Sequence, residues 1–144
     1  MLESERLING TYGELWEDGA HQQNVDGVTA EVTLEYADVK LSGDRWKHYK
    51  LTSIAGSGTI TGFKVTSDMI QSHSWAEGPR GVPTKTELIS KLDDPEAHGH
   101  ERVRLKNVKF DKIFLANWKV GEIVKEEIPF KFSGFEVLDP IEAV

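Results

Sequence analysis

Residues 28–40 alternate more cleanly than any other part of the chain. Val28, Ala30, Val32, Leu34 and Tyr36 share one parity, and Thr29, Glu31, Thr33 and Glu35 share the other. A period of two predicts a strand with one buried side and one solvated side, here carrying carboxylates. Two later runs alternate and then change parity. In Glu127–Leu138, Ile128, Phe130 and Phe132 share one parity while Phe135 and Val137 share the other, so one residue must be absorbed near Ser133-Gly134. In Arg102–Phe110, Val103 and Leu105 give way to Val108 and Phe110, with Asn107 at the change. Strands that each bend once suit a curved sheet or a barrel wall.

The rest reads mostly as further strands. Tyr12–Trp16 runs into Glu17-Asp18-Gly19, a tight hairpin signal. From Leu41 to Ile54 the alternation dissolves among charges, with Trp46 and Tyr49 between them. That segment reads either as a solvated loop whose aromatics tuck back or as a contact arm, because Trp, Tyr and Arg are frequent at interface hot spots. Three glycines in Gly56–Thr66 permit bending or close backbone approach. Thr66 or Ser67 can cap a short helix with Asp68 in its first turn, placing Met69, Ile70 and His73 on one face, and Gly78-Pro79 closes it. Thr84–Leu92, Glu101–Phe110 and Ile113–Val120 predict strands, and Asp139-Pro140 ends the last one. The expected fold is mainly β, a sandwich or partly open barrel with one short helix, formed by a single domain over 1–144.

Composition narrows the function. A chain of 144 residues with a formal charge of −7 and no cysteine has no disulfide, no thiol catalysis and no cysteine-ligated zinc. Nine acids in residues 1–40 face only Arg6 and Lys40. Such a balance disfavours a phosphate-gripping protein but suits a wall that repels passing DNA. No apolar stretch reaches membrane-span length, so no membrane anchor is expected.

Candidate chemistry is thin. His98 and His100 follow Asp93, Asp94 and Glu96 in a turn-rich segment, where no spacing fixes a metal geometry. There is no Gly-x-Ser-x-Gly elbow, and Gly56-Ser-Gly58 lacks the lysine and following helix of a phosphate loop. Neither a catalytic site nor a cofactor site is expected. Arg102, Arg104 and Lys106 form a basic stripe and Glu31 and Glu35 an acidic one. The two stripes can pair within a subunit or set register between subunits.

A set of segments in fixed order then carries a resemblance. Gly10–Gly19, Gly62–Ser67, Ile89–Pro95, Glu101–Asp111, Leu115–Gly121 and Glu127–Phe132 together resemble the tail tube proteins of contractile phage tails and tailocins of Gram-positive bacteria, the group that includes the PBSX prophage and diffocin-type tubes. The resemblance implies a structural subunit that assembles into hexameric rings whose inner sheets join, the rings stacking into a hollow conduit for DNA or ions. It also implies as partners the chain itself, a sheath, a tape measure protein and baseplate or tube-initiator proteins, in a virion tail assembled in the bacterial cytoplasm.

Under that resemblance 41–54 is the expected ring-stacking loop, with Asp44, Arg45, Trp46, Lys47 and Tyr49 as contact residues. Thr29, Glu31, Thr33 and Glu35 are the expected lumenal face, although the same residues can face the sheath. Two other readings compete: a secreted ring protein like the tube component of type VI secretion, and a monomeric β-barrel that binds a small ligand.

Overall fold

The computed structural model describes residues 3–64, 67–83 and 86–142. Among them are eight strands: β1 (Gly13–Glu17), β2 (Ala20–His21), β3 (Val25–Val39), β4 (His48–Phe63), β5 (Thr86–Leu92), β6 (Glu101–Phe110), β7 (Lys125–Phe132) and β8 (Phe135–Asp139). One short helix, α1 (Asp68–Ser72), lies between β4 and β5. All pairings are antiparallel, in the order β2-β1-β5-β6-β7-β4-β3, with β8 also on β6. The result is an open, bent sheet that folds over its own core.

β6 is the seam. Residues 102–105 lie between β5 and β8, whereas Lys109 and Phe110 pair with Lys131 and Phe130 of β7. The switch falls at Asn107, which adopts φ +53° and absorbs the extra residue that the parity change requires. Val103, Leu105, Val108 and Phe110 are all covered as a result.

The expected single strand over 127–138 is instead two. At Ser133-Gly134 the chain turns a corner: Ser133 N–H donates to the Lys106 carbonyl at 3.1 Å and Lys106 N–H to the Gly134 carbonyl at 2.8 Å. Gly134, at φ +151°, takes a backbone conformation that side chains disfavour. β7 then serves one half of β6 and β8 the other.

The core comprises Leu15, Ile60, Leu88, Leu105, Val108, Ile128, Phe130 and Phe132. Burying each such side chain is worth roughly 1.5–3 kcal/mol. An aromatic chain runs through it, with Phe110, Phe130 and Phe132 at successive centroid distances of 6.3 and 6.2 Å. His73 closes its upper end edge-on to Phe110 at 5.5 Å. The glycines of β4 make room for these rings, since Gly56 lies opposite Phe132 and Gly58 opposite Phe130. α1 turns half-buried Met69 and Ile70 and buried His73 inward, as its spacing predicts. Ser67, however, makes no side-chain cap, and Thr66 lies outside the described residues.

Two expectations fail. Ile113–Val120 is not a strand: it belongs to a long connection, 111–124, whose Gly121 has φ +85° and which leaves Leu115, Trp118, Val120 and Ile123 exposed. Alternation alone does not make a strand when no neighbouring edge accepts its hydrogen bonds. Nor is 41–54 one loop. Only 40–47 is irregular, and β4 begins at His48, so β3 and β4 form one long ribbon.

Candidate assembly surfaces

β3 and β4 are 15 and 16 residues long, yet β7 accompanies β4 only from Gly56 to Phe63. Beyond that point, residues 33–39 and 48–55 project as a two-stranded arm with no third strand among the described residues. Leu34 and Tyr36, which the alternation places on a buried side, are therefore exposed, Leu34 to 48%, and Val32 at the root of the arm is partly so. Only Val28, at the root, packs against the core.

The facing strand continues the apolar surface. Leu34 lies opposite Ile54 and Tyr36 opposite Leu51, with Tyr49 opposite Asp38. This requires a correction of parity, because Leu51 and Ile54 are an odd number of residues apart. The register shifts between Glu35 and Tyr36, and Thr52 is the extra residue. Its hydroxyl donates to the Glu35 carbonyl at 3.1 Å, and Ser53 Oγ donates to Glu35 Oε2 at 2.7 Å. One bulge thus turns Tyr49 and Leu51 onto the same side as Leu34 and Ile54, which is 61% accessible. The arm carries an apolar patch that a monomer leaves in water.

The other face is mostly polar, with Ala37 and Ala55 among its residues. Thr29, Glu31, Thr33 and Glu35 stand opposite Thr59, Ser57, Ala55 and Ser53. The structure brings these four sequence-predicted residues together on one exposed surface. The basic stripe does not meet them. Arg102 pairs with Asp139, Arg104 with Glu87 and Glu136, and Lys106 with Glu136, all within the β5-β6-β8 half of the subunit.

At the tip, Asp44 Oδ1 accepts from Trp46 N–H at 2.9 Å and Oδ2 lies 2.6 Å from His48 Nε2. The Trp46 amide, then His48, holds the Asp44 carboxyl below its ordinary value. Lys47 pairs with Asp38 at 3.6 Å. Arg45 is exposed, and Trp46 is 80% accessible, held out by a turn with Gly43 at φ +78°. Asp44, Arg45, Trp46 and Lys47 therefore cluster at the tip. Tyr49 does not; it belongs to the apolar face of the arm. The spacing Tyr49-x-Leu51-x-x-Ile54 carries the same parity break as β6 and is the signal that would have placed it.

At the opposite end of the ribbon a groove of about 730 Å³ opens between β1, the start of β3, the end of β4 and α1. Buried Leu15, Ile60 and Ile128 lie on its lining. No local pattern points to it, because its walls come from four separated stretches, 15–25, 60–64, 68–72 and 126–128. The histidine-rich turn proves structural in its contacts. Asp94 is buried, accepting from Asn9 N–H at 2.8 Å and Glu96 N–H at 2.9 Å, while His100 turns to Asp139 at 3.1 Å.

Comparison with known proteins places the chain in a family. A family model described as "Phage tail tube protein" matches residues 1–139. The chain is 33% identical over 138 residues to the phage-like element PBSX protein XkdM of Bacillus subtilis strain 168, covering 94% of this chain and 93% of the relative. It is 32% identical over 144 residues to the uncharacterized protein YqbM of the same strain, covering 99% and 97%. Its fold is similar to a chain of the sheath/tube terminator of the extracellular contractile injection system PVC in the extended state, with TM-score 0.76, 7% identity, and 95% and 100% of the two chains covered. A chain of the PVC sheath-tube complex is similar at TM-score 0.72 and 8% identity, with 93% of each chain covered. The chain belongs to the phage tail tube protein family and is a structural subunit of a phage or phage-like tail.

Proposed function

We propose that this subunit completes its sheet only in a ring, and that stacked hexameric rings form the hollow tube inside a contractile tail. The observation that carries this reading is the projecting arm, whose apolar side has no cover and whose strand edges have no partner among the described residues. Among the described residues β3 pairs only with β4, and β8 only with β6. Open edges of this length invite aggregation unless neighbouring copies close them. In a closed ring, the next subunit covers Leu34, Tyr36, Leu51 and Ile54 and extends the hydrogen-bonded wall.

The polar face then lines the channel. Thr29, Glu31, Thr33 and Glu35 present hydroxyls and carboxylates that solvate a lumen and repel the phosphates of passing DNA. The 1–144 unit acts as one tube domain, and the 40–47 tip reaches the adjacent ring. A sheath outside, a tape measure protein in the bore and baseplate proteins at the end are its partners, and assembly takes place in the host cytoplasm. The role is structural, with no catalytic step. Relatives in fold come from sheath-tube and baseplate assemblies, the latter imaged with six-fold symmetry, which supports this geometry.

The test is Leu34→Asp. Covering the accessible half of Leu34 is worth about 1 kcal/mol, and burying a carboxylate against apolar neighbours costs several more. The subunit concentration needed for rings should rise by roughly a hundredfold or more. Electron microscopy with sedimentation across concentration measures it. Wild-type protein that stays monomeric at every concentration, or a variant that assembles like wild type, refutes the proposal.

A further inference from the structure

The two ends of the ribbon complement one another. Val25, at the start of β3, lines the groove, and Val39, at its end, leads into the tip. A strand of this length separates them by about 45 Å, so no tip reaches its own groove. Among the described residues of the groove lining, Glu17, Asp18, Asp68 and Glu126 outnumber the single ammonium of Lys64, which lies 4.0 Å from Glu126. Burial, and then the neighbouring charges of Asp18 and Asp68, push the Glu17 carboxyl above its ordinary range. The tip is opposite in sign: within 40–47, Lys40, Arg45 and Lys47 outnumber Asp44. It also holds up an indole that has almost no cover. An exposed Trp beside Arg and Lys, facing an apolar groove edged with carboxylates, is the chemistry of an anchor and its socket.

We propose that the tip of one subunit, led by Trp46, seats in the groove of a second copy of this chain in the adjacent ring, with Arg45 and Lys47 turned toward Glu17 and Asp68. This rests on the tube reading above and adds the receiving site. Because tip and groove are different patches, the contact is head-to-tail and repeats without closing, so rings propagate into a stack. The indole covers Val25, Phe63 and Met69, the accessible apolar side chains of the groove over its buried floor of Leu15, Ile60 and Ile128, and the cations lie against its carboxylate edge.

The chain has no cysteine, so engineered thiols report directly. Ser42→Cys and Gln23→Cys subunits, made separately and mixed before assembly, should give covalent dimers with a short bifunctional thiol reagent. Either variant alone should give few. Tubes that yield no dimers from the mixture, or no more than from the single variants, overturn the proposal. Charge reversal gives a second reading. Glu17→Lys with Asp68→Lys, or Arg45→Glu with Lys47→Glu, should leave rings but raise the concentration needed for tubes roughly tenfold or more. All four changes together should restore stacking. If the groove variant fails to fold, the exposed tip variant and the cross-link decide. Unaltered tube length in the tip variant refutes the socket, whereas failure of wild type to form rings at all refutes the tube reading instead.

Discussion

Gly58 tests the packing of the core against the ribbon. In β4 it lies between Ala30 of β3 and Phe130 of β7. A Cβ at this position would come within 2.5 Å of the Phe130 ring and closer still to the Thr29 carbonyl. Phe130 is fully buried and cannot swing out, and the Thr29 carbonyl is backbone. Without that contact, Gly→Ala would stabilise a strand by roughly 0.5–1 kcal/mol, through the smaller entropy of the unfolded chain. Overlap with ring and backbone costs about 1–3 kcal/mol. The net expectation for Gly58→Ala is a loss of about 1–2 kcal/mol, a fall in melting temperature of roughly 3–6 °C in a chain of this size. Gly10 supplies the control: a Cβ there meets nothing within 4 Å, so Gly10→Ala should melt at or slightly above wild type. Thermal denaturation followed by circular dichroism compares the two. In a Phe130→Leu background the Gly58→Ala penalty should shrink without vanishing, because the carbonyl overlap remains. Equal melting temperatures for Gly58→Ala and Gly10→Ala would show that the rings do not rest on β4 as described.

Two further predictions concern backbone and pH. Asn107→Val forces a β-branched residue to φ +53° and should cost roughly 1–3 kcal/mol, while Asn107→Gly is tolerated; urea titrations that fail to separate them would remove strain from the seam. The Arg102 hydrogen bond, then His100, holds the Asp139 carboxyl below its ordinary 3.8. Its stabilisation is thus complete above that value and disappears as the pH falls through the lower folded one. Asp139→Asn should lower the urea midpoint at about pH 7 and match wild type near pH 2; a pH-independent difference would contradict the ion pair.

Much of the fold is legible in the residues, for a physical reason. Parity changes at Asn107 and at Ser133-Gly134 are local, and each must be absorbed where it occurs. Likewise Asp18-Gly19, with φ +48° and +87°, makes the expected two-residue hairpin turn. The glycines of β4 foretold a close approach, and the Phe130 and Phe132 rings supply it. What the chain conceals is who covers what. Leu34 and Tyr36 read as core, but no third strand among the described residues reaches them. Tyr49 and Leu51 hide behind the Thr52 bulge, and the apolar residues of Ile113–Val120 read as a strand although the segment pairs with no edge among the described residues. The groove depends on side chains from β1, β4, β7 and α1 converging, which no local pattern records. At the tip the residues leave open whether Trp46 tucks back or stands out, and the turn at Gly43 decides that it stands out.

Thr52 carries a rule for how such arms can change over time. Each added or lost residue reverses the facing of everything beyond it, so growth in single steps would turn the greasy side of the arm onto its polar face. Related arms of different length should therefore differ by even numbers of residues per strand, or else bear a second kink like the one at Thr52. Reach and sidedness are inherited together, and a one-codon deletion at Thr52 uncouples them at a stroke.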